Sequence, residues 1–418
     1  MLFKIIASTF LFSILFLACS VTKFSSVENF KSGFGKIEKK QPSSYKEAIE
    51  TFNINADYLN QIPKNDSLLL SSFQLILKNK IAEATMQLEN ANITDSYNLL
   101  NSFDLLLYSI YYPEQQWNKI KLIEDIDNKI NYLKKLATFY DFFSNCTLTY
   151  PVNADSLNFP FKGNSHIFID VSIQDKTYTF LFDTGATDCI ISSKIAKTID
   201  SSLVFKVPLL LSDNSNNPLT NATPALIKQM KIGDLAISNL PVLWAENIPS
   251  DFDGIIGWNF LKNHRFIIDY ITNTITLHKN HKVNLKKANL FGNKLPFVNI
   301  NLKNNDSYLS LLMLLDTGSD QTRFFSSDLI SGIDAEKNVS KNRKSLLGKS
   351  TFSSKRIKSG VFNIYLNEQT IHFKNMLVTQ EKMSSQYIYF NGLLGSDLFK
   401  KGVLEFDAKS NYIQFDYK

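Results

Sequence analysis

The sequence has few cysteines, no dense run of positive charge and no long apolar segment after its N-terminus. Three cysteines among 418 residues cannot hold the chain together by disulfides, so its stability must come from an ordinary hydrophobic core. The 45 lysines and arginines exceed the 39 acidic residues only slightly, which argues against a nucleic-acid-binding protein. The content of 44% apolar and 20% charged residues excludes a disordered or collagen-like chain and, with the length, indicates two or three globular domains.

The N-terminus carries the one extended apolar segment. Residues 5–18 are apolar apart from two serines and a threonine, and they follow Lys4. As a helix this segment would rise only about 21 Å, short of the roughly 30 Å bilayer core, so residues 1–18 are interpreted as a signal peptide. Its end, Leu-Phe-Leu-Ala-Cys19, resembles the bacterial lipobox, which implies that Cys19 is acylated and becomes the new N-terminus. An ordinary secretory signal with a chance cysteine is the alternative.

The lipobox resemblance implies a place in the cell. Several acyl chains on Cys19 would hold the protein on a membrane, since each buried methylene group contributes roughly 0.8 kcal/mol. Ser20 after the cysteine resembles the signal for sorting to the outer membrane of a Gram-negative cell. We therefore expect a lipid-anchored protein of the bacterial cell envelope whose body faces the periplasm. Residues 19–43, rich in serine and lysine, are expected to be its tether.

The chain after the tether changes from helical to β periodicity. Within residues 44–146 apolar residues recur every three or four positions, as at Leu99, Phe103, Leu106 and Ile110, which predicts a small helical domain. Its apolar stripes are interpreted as core. A helical repeat that binds peptides is the alternative, although no period of about 34 residues is found. The rest of the chain consists of short alternating runs between polar turns, which predict β-strands.

The β-rich part contains one unit twice. Each copy has an apolar strand that ends in Asp-Thr-Gly, at Asp183 in the first copy and at Asp316 in the second. A Gly-apolar-apolar-Gly turn follows, which begins at Gly254, 71 residues after the first acid, and at Gly392, 76 residues after the second. A further aspartate lies 12 residues beyond the last glycine of each turn. Two triplets in such matched surroundings are not explained by chance, so the sequence indicates a duplication.

The two copies resemble retropepsin-like aspartic protease lobes, here both in one polypeptide. The resemblance covers residues 150–283 and 284–418 and implies a mainly β fold. Two retropepsin-like acid-protease β-lobes would form a tandem pseudo-twofold pair, preceded by the small α-helical domain. Asp183 and Asp316 would be the catalytic residues. The residues that would support the catalytic loops are Thr184, Gly185, Thr317 and Gly318. The resemblance also implies a monomer, a peptide or protein substrate, and neither metal nor cofactor.

Two carboxyl groups suit peptide hydrolysis without a metal. At a separation of about 3 Å they cannot both ionise, so they share one proton. The ionised carboxyl acts as general base on a water molecule, and the protonated one polarises the peptide carbonyl. The preferred interpretation is therefore a membrane-anchored aspartic endopeptidase. The alternative is a catalytically silent lipoprotein that uses the same lobes as a peptide- or partner-binding module. Each triplet taken alone could also be a turn at a strand end.

Other acidic residues of the repeat are given structural roles. Asp253 and Asp397 have no acidic counterpart in the other copy, so we expect them to cap turns or to be solvated. Asp269 and Asp407 recur in both copies, but each precedes a hairpin, and a role in the turn is expected. The candidate tips of the flaps that would close over the acids are residues 212–217 and 347–350.

The histidines and the remaining cysteines are not assigned to chemistry. His278 and His281 are three residues apart, which would suit a zinc site only on a helix, and their surroundings indicate a polar link between the lobes instead. Cys189 lies in an apolar stretch and is expected in the core. Its pairing with Cys146 in an oxidising periplasm stays open, because sequence does not give the distance between them.

Overall fold

The computed structural model describes the chain from Ser43 to Tyr417 with gaps. The described residues are 43–50, 59–93, 95–123, 130–212, 218–281, 289–292, 294–304, 307–325, 343–344, 351–352, 354–356, 361–366, 369–374, 377–379, 383–385 and 388–417. The predicted signal peptide, the lipobox cysteine and the tether up to residue 42 lie outside these ranges. Among the described residues no helix is long and apolar enough to cross a membrane.

The N-terminal part of the described chain is helical. Its elements are α1 Tyr45–Glu50, α2 Lys64–Leu77, α3 Ile81–Glu89, α4 Ser96–Asp104, a π-helix Leu105–Tyr111, α5 Trp117–Leu122 and α6 Asn131–Asp141. The start of α4 is capped by Asp95, whose carboxylate accepts the Asn98 N–H at 2.8 Å. We call residues 43–141 the helical region.

The π-helix displaces the apolar face predicted for this part of the chain. Leu106 and Ile110 are buried as expected, but Leu99 and Phe103 are only half-buried. The five-residue hydrogen-bond spacing begins at Leu105, so residues before and after it do not share the 3.6-residue period. The stripe is therefore only half correct, because a pattern of straight-helix spacing does not anticipate the change of pitch.

The rest of the described chain is built mainly from β-strands. The strands are β1 Thr147–Thr149, β2 Ser156–Pro160, β3 Phe168–Ile173, β4 Lys176–Phe182, β5 Ile190–Ser192, β6 Leu209–Ser212, β7 Pro218–Ile232, β8 Leu235–Ala245, β9 Gly254–Ile256, β10 Arg265–Asp269, β11 Thr274–His278, β12 Leu290–Phe291, β13 Phe297–Asn304, β14 Ser307–Leu315, β15 Arg323–Phe324, β16 Arg343–Lys344, β17 Thr351–Phe352, β18 Ser354–Arg356, β19 Val361–Leu366, β20 Gln369–Lys374, β21 Leu377–Thr379, β22 Met383–Ser385, β23 Ile388–Phe390, β24 Gly392–Leu394, β25 Gly402–Asp407 and β26 Tyr412–Tyr417. Short helices between them are α7 Ser193–Ala196, a 3₁₀ turn Ser201–Leu203, α8 Trp258–Leu261 and α9 Ser396–Phe399.

Lobe 1, residues 147–278, is a closed sheet. Eight strands are ordered β1-β8-β5-β9-β4-β3-β7-β6, and the long strands β7 and β8 also pair with each other, which closes a barrel. Alternate residues of β4, among them Tyr178, Phe180 and Phe182, fill its interior. The barrel therefore buries one face of the strand that leads to the first acid triplet.

Lobe 2, residues 289–417, repeats the central pairings of lobe 1. Its large sheet is ordered β18-β21-β15-β24-β14-β13-β19-β20, with β12 beside β13. The strand before the second triplet, β14, runs parallel to β24, as β4 runs parallel to β9. Met313 pairs with Gly392 as Phe180 pairs with Gly254, so both copies use the same register. The predicted mainly β architecture of two similar lobes after a helical region is confirmed.

A third sheet joins the lobes. Its order is β2-β11-β10-β25-β26, so β10 and β11 of lobe 1 are continuous with β25 and β26 of lobe 2. At the junction Phe266 pairs with Phe406, and their rings lie 5.3 Å apart. The Trp258 ring lies 5.8 Å from the same Phe406 ring in a tilted arrangement. The sheet thus holds the two lobes in one fixed orientation beneath the acid triplets.

The helical region shares a hydrophobic core with lobe 2. Buried helical side chains such as Phe73 and Trp117 belong to one cluster with Phe297, Leu314 and Phe390 of lobe 2. Polar bonds add to this contact: Asn411 of lobe 2 donates to the Lys78 carbonyl. The helices are therefore packed onto the β-lobes rather than standing apart from them.

Candidate active site

The two acid triplets leave the lobes at equivalent points. The Asp183 N–H donates to the Ile256 carbonyl of β9 at 3.0 Å, and the Asp316 N–H donates to the Leu394 carbonyl of β24 at 3.0 Å. Each acid follows directly on its buried strand and is tied to the parallel neighbour of that strand. The strand register therefore sets the position of both carboxyl groups.

The lobes bring the two triplets face to face. A methyl group added to Gly185 would lie 2.6 Å from Cγ of Asp316, and one added to Gly318 would lie 2.3 Å from Cγ of Asp183. Each glycine thus leaves room for the carboxyl group of the other lobe. The Asp183 and Asp316 side chains are hydrogen-bonded to each other, and both remain partly exposed. The structure therefore brings the two predicted acids into direct contact.

The two threonines cross-link the triplets beneath the acids. The Thr184 N–H donates to Oγ1 of Thr317 at 3.0 Å, and the Thr317 N–H donates to Oγ1 of Thr184 at 3.0 Å. Each hydroxyl then donates across the interface, Thr184 to the Leu315 carbonyl at 2.7 Å and Thr317 to the Phe182 carbonyl at 2.9 Å. Both side chains are fully buried. These four bonds fix the position of one loop relative to the other.

The surroundings of the acids favour one shared proton. Burial raises the pKa of Asp183, and the rise is opposed by hydrogen bonds from the Gly185 N–H, at 2.8 Å, and from Asp316. Burial together with the negative charge of Asp183 raises the pKa of Asp316 to about 8, against a smaller opposing effect of the Arg323 charge. The pair therefore titrates as a unit, and the raised pKa of both acids favours one proton shared between them.

The second glycine of each turn lies against the acid loop. A methyl group on Gly257 would meet the Asp188 carbonyl oxygen at 2.3 Å, and one on Gly395 would meet the Gln321 carbonyl carbon at 2.4 Å. The backbones approach this closely because there is no side chain. The Gly turns are therefore packing elements that lie against the acid loops.

Asp253 and Asn391 perform one structural task in the two lobes. A carboxylate oxygen of Asp253 accepts the Thr179 N–H at 3.1 Å, and the amide oxygen of Asn391 accepts the Leu312 N–H at 2.9 Å. Thr179 and Leu312 both lie four residues before the acid of their lobe. Since the task needs an oxygen acceptor and not a charge, the sequence tolerates Asp in one copy and Asn in the other. Asp253 also pairs with Lys194 at 2.9 Å.

Asp397 caps the loop of lobe 2. Its Oδ1 accepts the N–H of Thr322 at 2.7 Å and the hydroxyl of Thr322 at 2.8 Å. At the same position of lobe 1, Asn259 donates to Asp188 at 2.8 Å instead. In lobe 2 the acceptor is therefore Asp397, on the short helix α9. In lobe 1 the acceptor is Asp188, on the loop after the acid.

The recurring acids at the ends of β10 and β25 lie in turns. Asp269 accepts the N–H groups of Ile271 and Thr272 at 2.8 and 3.1 Å. Asp407 is fully buried and accepts from Ser410 and from His281, whose Nδ1 lies 2.8 Å from it. Both acids therefore have roles in turns, as predicted.

The histidines and cysteines of the described ranges form no metal site. His278 is the last residue of β11, not part of a helix, and His281 contacts Asp407. In the described ranges no group of three His, Cys, Asp or Glu side chains is placed to hold a metal ion. Cys189 is buried and accepts the Gly257 N–H at 3.4 Å, and Cys146 is a free thiol.

Two residues near the acids were not singled out from the sequence. Arg323 occupies in β15 the place of Ile190 in β5, since each is the seventh residue after the acid and pairs with the Gly-turn strand. Asp188 lies five residues after Asp183, and burial raises its pKa against the opposing amide of Asn259. A position-by-position comparison of the two copies could have identified Arg323, because it stands where the first copy has Ile190.

Several predicted residues lie outside the described ranges. They are Cys19, residues 213–217 of the first flap tip and residues 347–350 of the second flap tip. The strands that flank the first tip, β6 and β7, are described and pair antiparallel.

Comparison with known proteins bears on the first lobe. Residues 169–263, which include the first acid triplet, match the family model described as "gag-polyprotein putative aspartyl protease". No curated protein matches the chain. The fold is similar to that of a solved structure, the aspartic proteinase from Irpex lacteus, with 11% sequence identity and a TM-score of 0.46, covering 63% of this chain and 97% of that one. Lobe 1 is therefore similar in sequence to an aspartyl protease family around the triplet that contains Asp183.

Proposed function

We propose that the protein is an aspartic endopeptidase that hydrolyses peptide bonds between its two lobes, with Asp183 and Asp316 as catalytic residues. The observation that supports it most is the contact between these two acids, one from each lobe, in partly buried surroundings that raise the pKa of both. A protein that only binds peptides has no use for two carboxyl groups held against their mutual repulsion.

The proposed reaction uses the single proton that Asp183 and Asp316 share. The ionised acid of the pair removes a proton from water while the water oxygen bonds to the carbonyl carbon of the peptide, and the protonated acid gives its proton to the carbonyl oxygen. The tetrahedral intermediate then breaks its C–N bond. The acid that took the water proton passes it to the leaving nitrogen, and the other acid recovers a proton from the newly formed hydroxyl. The pair returns to its starting state with one proton.

Thr184 and Thr317 would act as positioning residues in this reaction. Their cross-lobe bonds keep the two carboxyl groups at a fixed separation, which a general base and a general acid acting on one water and one carbonyl require. The strands β6 and β7 would hold an extended peptide through backbone hydrogen bonds.

The decisive experiment compares the wild-type chain with Asp183→Asn and Asp316→Asn in digestion of a peptide library. We expect the wild type to cleave extended peptides, to be inhibited by pepstatin-like transition-state mimics, and to lose turnover by at least about 10³-fold in either variant. Circular dichroism of the variants checks that the fold is retained. Full activity in either variant would refute the acid pair, and binding of peptides without cleavage by the wild type would favour the silent binding module.

We also propose that the protein is acylated at Cys19 and anchored in the bacterial envelope, with its body in the periplasm. The support for this is the lipobox resemblance alone. Expressed in a Gram-negative host, the wild type should incorporate a labelled fatty acid and sediment with outer membranes, whereas Cys19→Ser should do neither. Cleavage of the body by protease added to intact cells would overturn the periplasmic orientation.

A further inference from the structure

The acids lie on the strand face that points away from the barrel interiors. Phe180 and Phe182 belong to the large buried cluster that fills the interiors of both lobes, whereas Leu181 between them does not. In lobe 2 Met313 and Leu315 are interior, whereas Leu314 is not. Because side chains alternate along a strand, the acid that follows each strand continues the outer face. Leu181 and Leu314 therefore mark the two walls that border the acid pair.

These two walls are covered by different parts of the chain. Leu181 and Ile255 of lobe 1 pack with Leu211 and Ala222, which belong to the lobe's own hairpin of β6 and β7. We call the corresponding outer surface of lobe 2 the lobe 2 wall; it consists of Leu312, Leu314, Phe390 and Leu393. The lobe 2 wall lies in the same cluster as the buried side chains of the helical region, and all four residues are no more than 5% exposed.

The contact between the helical region and lobe 2 includes α1. This helix contacts β23, which ends at Phe390. The Phe390 ring lies 5.5 Å from Phe297 and 5.6 Å from Phe325, two further lobe 2 residues of the cluster that the helices share. The helical region thus takes, over the lobe 2 wall, the place that the β6–β7 hairpin takes over the wall of lobe 1.

The helical region also reaches the base of the lobe 1 hairpin. The rings of Tyr132 and Phe139 lie 5.9 and 5.5 Å from Phe205, and the Tyr132 hydroxyl donates to the Val207 carbonyl at 3.4 Å. Phe205 and Val207 directly precede β6. One group of helices is therefore attached to both sides of the site, to the lobe 2 wall and to the hairpin of lobe 1.

The same helices come close to the acid loop. Burial raises the pKa of the Tyr112 and Tyr140 phenols, and the negative charge of Asp188 raises both further, which places these helical side chains within electrostatic range of the loop. Between the helices and the lobes lies a cavity. Its lining consists of Tyr108, Tyr112, Tyr132, Leu133, Leu136, Leu209 and Lys294. The cavity lies where the helical region meets both lobes, at Leu209 of lobe 1 and Lys294 of lobe 2.

We propose that the helical region is a lid over the lobe 2 half of the substrate cleft, and that it must shift before an extended peptide can lie across both acids. The proposal rests on the proposed function. In the closed state the lobe 2 wall contacts helices, so it is closed to a side chain of the substrate. The observed activity is then the intrinsic activity multiplied by the fraction of open molecules.

The test loosens the lid by removing its aromatic contacts with the lobe 1 hairpin. We compare the full chain with the double variant Tyr132→Ala/Phe139→Ala and with the matched control Phe142→Ala, whose side chain is 86% exposed directly after α6. We expect kcat/KM for a short peptide to rise about threefold or more in the double variant and to stay at the wild-type value in the control, because only the former shifts the population towards the open state.

A second readout follows the lid without relying on catalysis. Leu312→Cys is made in a chain in which Cys19→Ser, Cys146→Ser and Cys189→Ala remove the natural thiols, and the rate of labelling by a thiol reagent is measured with and without the two aromatic substitutions. We expect slow labelling with the intact lid and faster labelling with the loosened one. Circular dichroism checks that the lobes stay folded.

The outcomes separate the lid from the proposed function. Faster labelling with unchanged or lower kcat/KM would overturn the lid, and so would labelling that is equally fast in both backgrounds. If even the wild type cleaves no peptide, but the loosened variant labels faster and binds a pepstatin-like mimic more tightly, the lid stands and the hydrolytic function fails.

Discussion

At the scale of single residues, the acid pair depends on atoms from both copies of the repeat. The Thr317 hydroxyl, from lobe 2, accepts the Thr184 N–H and donates to the Phe182 carbonyl, both in lobe 1. The Thr184 hydroxyl makes the corresponding two bonds to lobe 2. Buried donors and acceptors of this kind are costly to leave unpaired, at about 1–3 kcal/mol each. The interface is therefore stable only in the register that places Asp183 against Asp316.

The shared proton of the pair predicts how stability depends on pH. The folded-state pKa of Asp316 is raised, mainly by burial, so between the unfolded and the folded value the folded chain holds more protons than the unfolded chain. Its contribution to stability therefore decreases as pH rises through this window. Asp316→Asn cannot ionise, so it should match the wild type in free energy of unfolding near pH 4. Near pH 8 it should exceed the wild type by at least about 1.4 kcal/mol, the equivalent of one pKa unit.

The measurement is urea unfolding of both proteins at the two pH values. The control for the loss of a carboxylate is Asp170→Asn, which removes only an exposed ion pair with Lys162. Asp407→Asn would be unsuitable because it would also change the contact with His281. A difference between wild type and Asp316→Asn that is the same at both pH values would show that the pair does not hold a proton.

At the scale of secondary-structure elements, each lobe ties its acid-bearing strand to the Gly turn in the same way. The parallel pairing of β4 with β9 and of β14 with β24 is closed by one side-chain oxygen, from Asp253 or from Asn391. The oxygen satisfies a strand N–H that the short partner strand is unable to reach. A turn and a strand far apart in sequence thereby act as one structural unit.

This equivalence predicts that residues of one copy can replace those of the other. Asp253→Asn keeps the acceptor for the Thr179 N–H and loses only the ion pair with Lys194, whose side chain is 66% exposed. We expect it to change the free energy of unfolding by less than about 1 kcal/mol. Asp253→Ala leaves the N–H without its partner and should cost about 1–3 kcal/mol. Equal losses in the two variants, measured by urea unfolding, would assign the effect to charge instead.

At the scale of the whole molecule, two different contacts join the lobes to each other and to the helical region. The sheet of β10 and β25 joins the lobes on the side away from the cleft, through Phe266 and Phe406. The helical region joins them on the cleft side. A truncated chain that begins near residue 150 would expose the apolar lobe 2 wall, which makes the full chain the proper material for experiments.

The joining sheet predicts that both lobes unfold together. Phe406 is fully buried and contacts rings of both Trp258 and Phe266, so Phe406→Ala should cost about 3–5 kcal/mol. We expect a single transition when tryptophan fluorescence and circular dichroism are followed with increasing urea. Tyr417→Ala, in the neighbouring strand and 45% exposed, is the control and should change stability by less than about 0.5 kcal/mol. Separate transitions for the two probes would contradict a joint unit.

The sequence by itself determined the features that depend on local pattern and repetition. Alternating apolar residues indicated strands, and the duplicated surroundings of Asp183 and Asp316 indicated two lobes with one acid each, because a repeated spacing specifies a repeated strand-and-turn unit. The equivalence of Asp253 and Asn391 was also visible in the sequence, because the two residues occupy the same position of the two copies. The shift of the apolar stripe near Leu105 was not, since a single extra residue in a helical turn leaves no mark on composition.

Only the tertiary structure decided what lies against what. The alternation along β14 shows that the Leu314 side chain lies on the outer face of the strand. It does not show what covers this side chain, because hydrophobic burial has no direction and an apolar side chain packs equally well against a hairpin or a helix. The contact of the helical region with the lobe 2 wall and the approach of Tyr112 to Asp188 both join segments far apart along the chain. Such contacts follow from the way complete elements fit together, which no local pattern encodes.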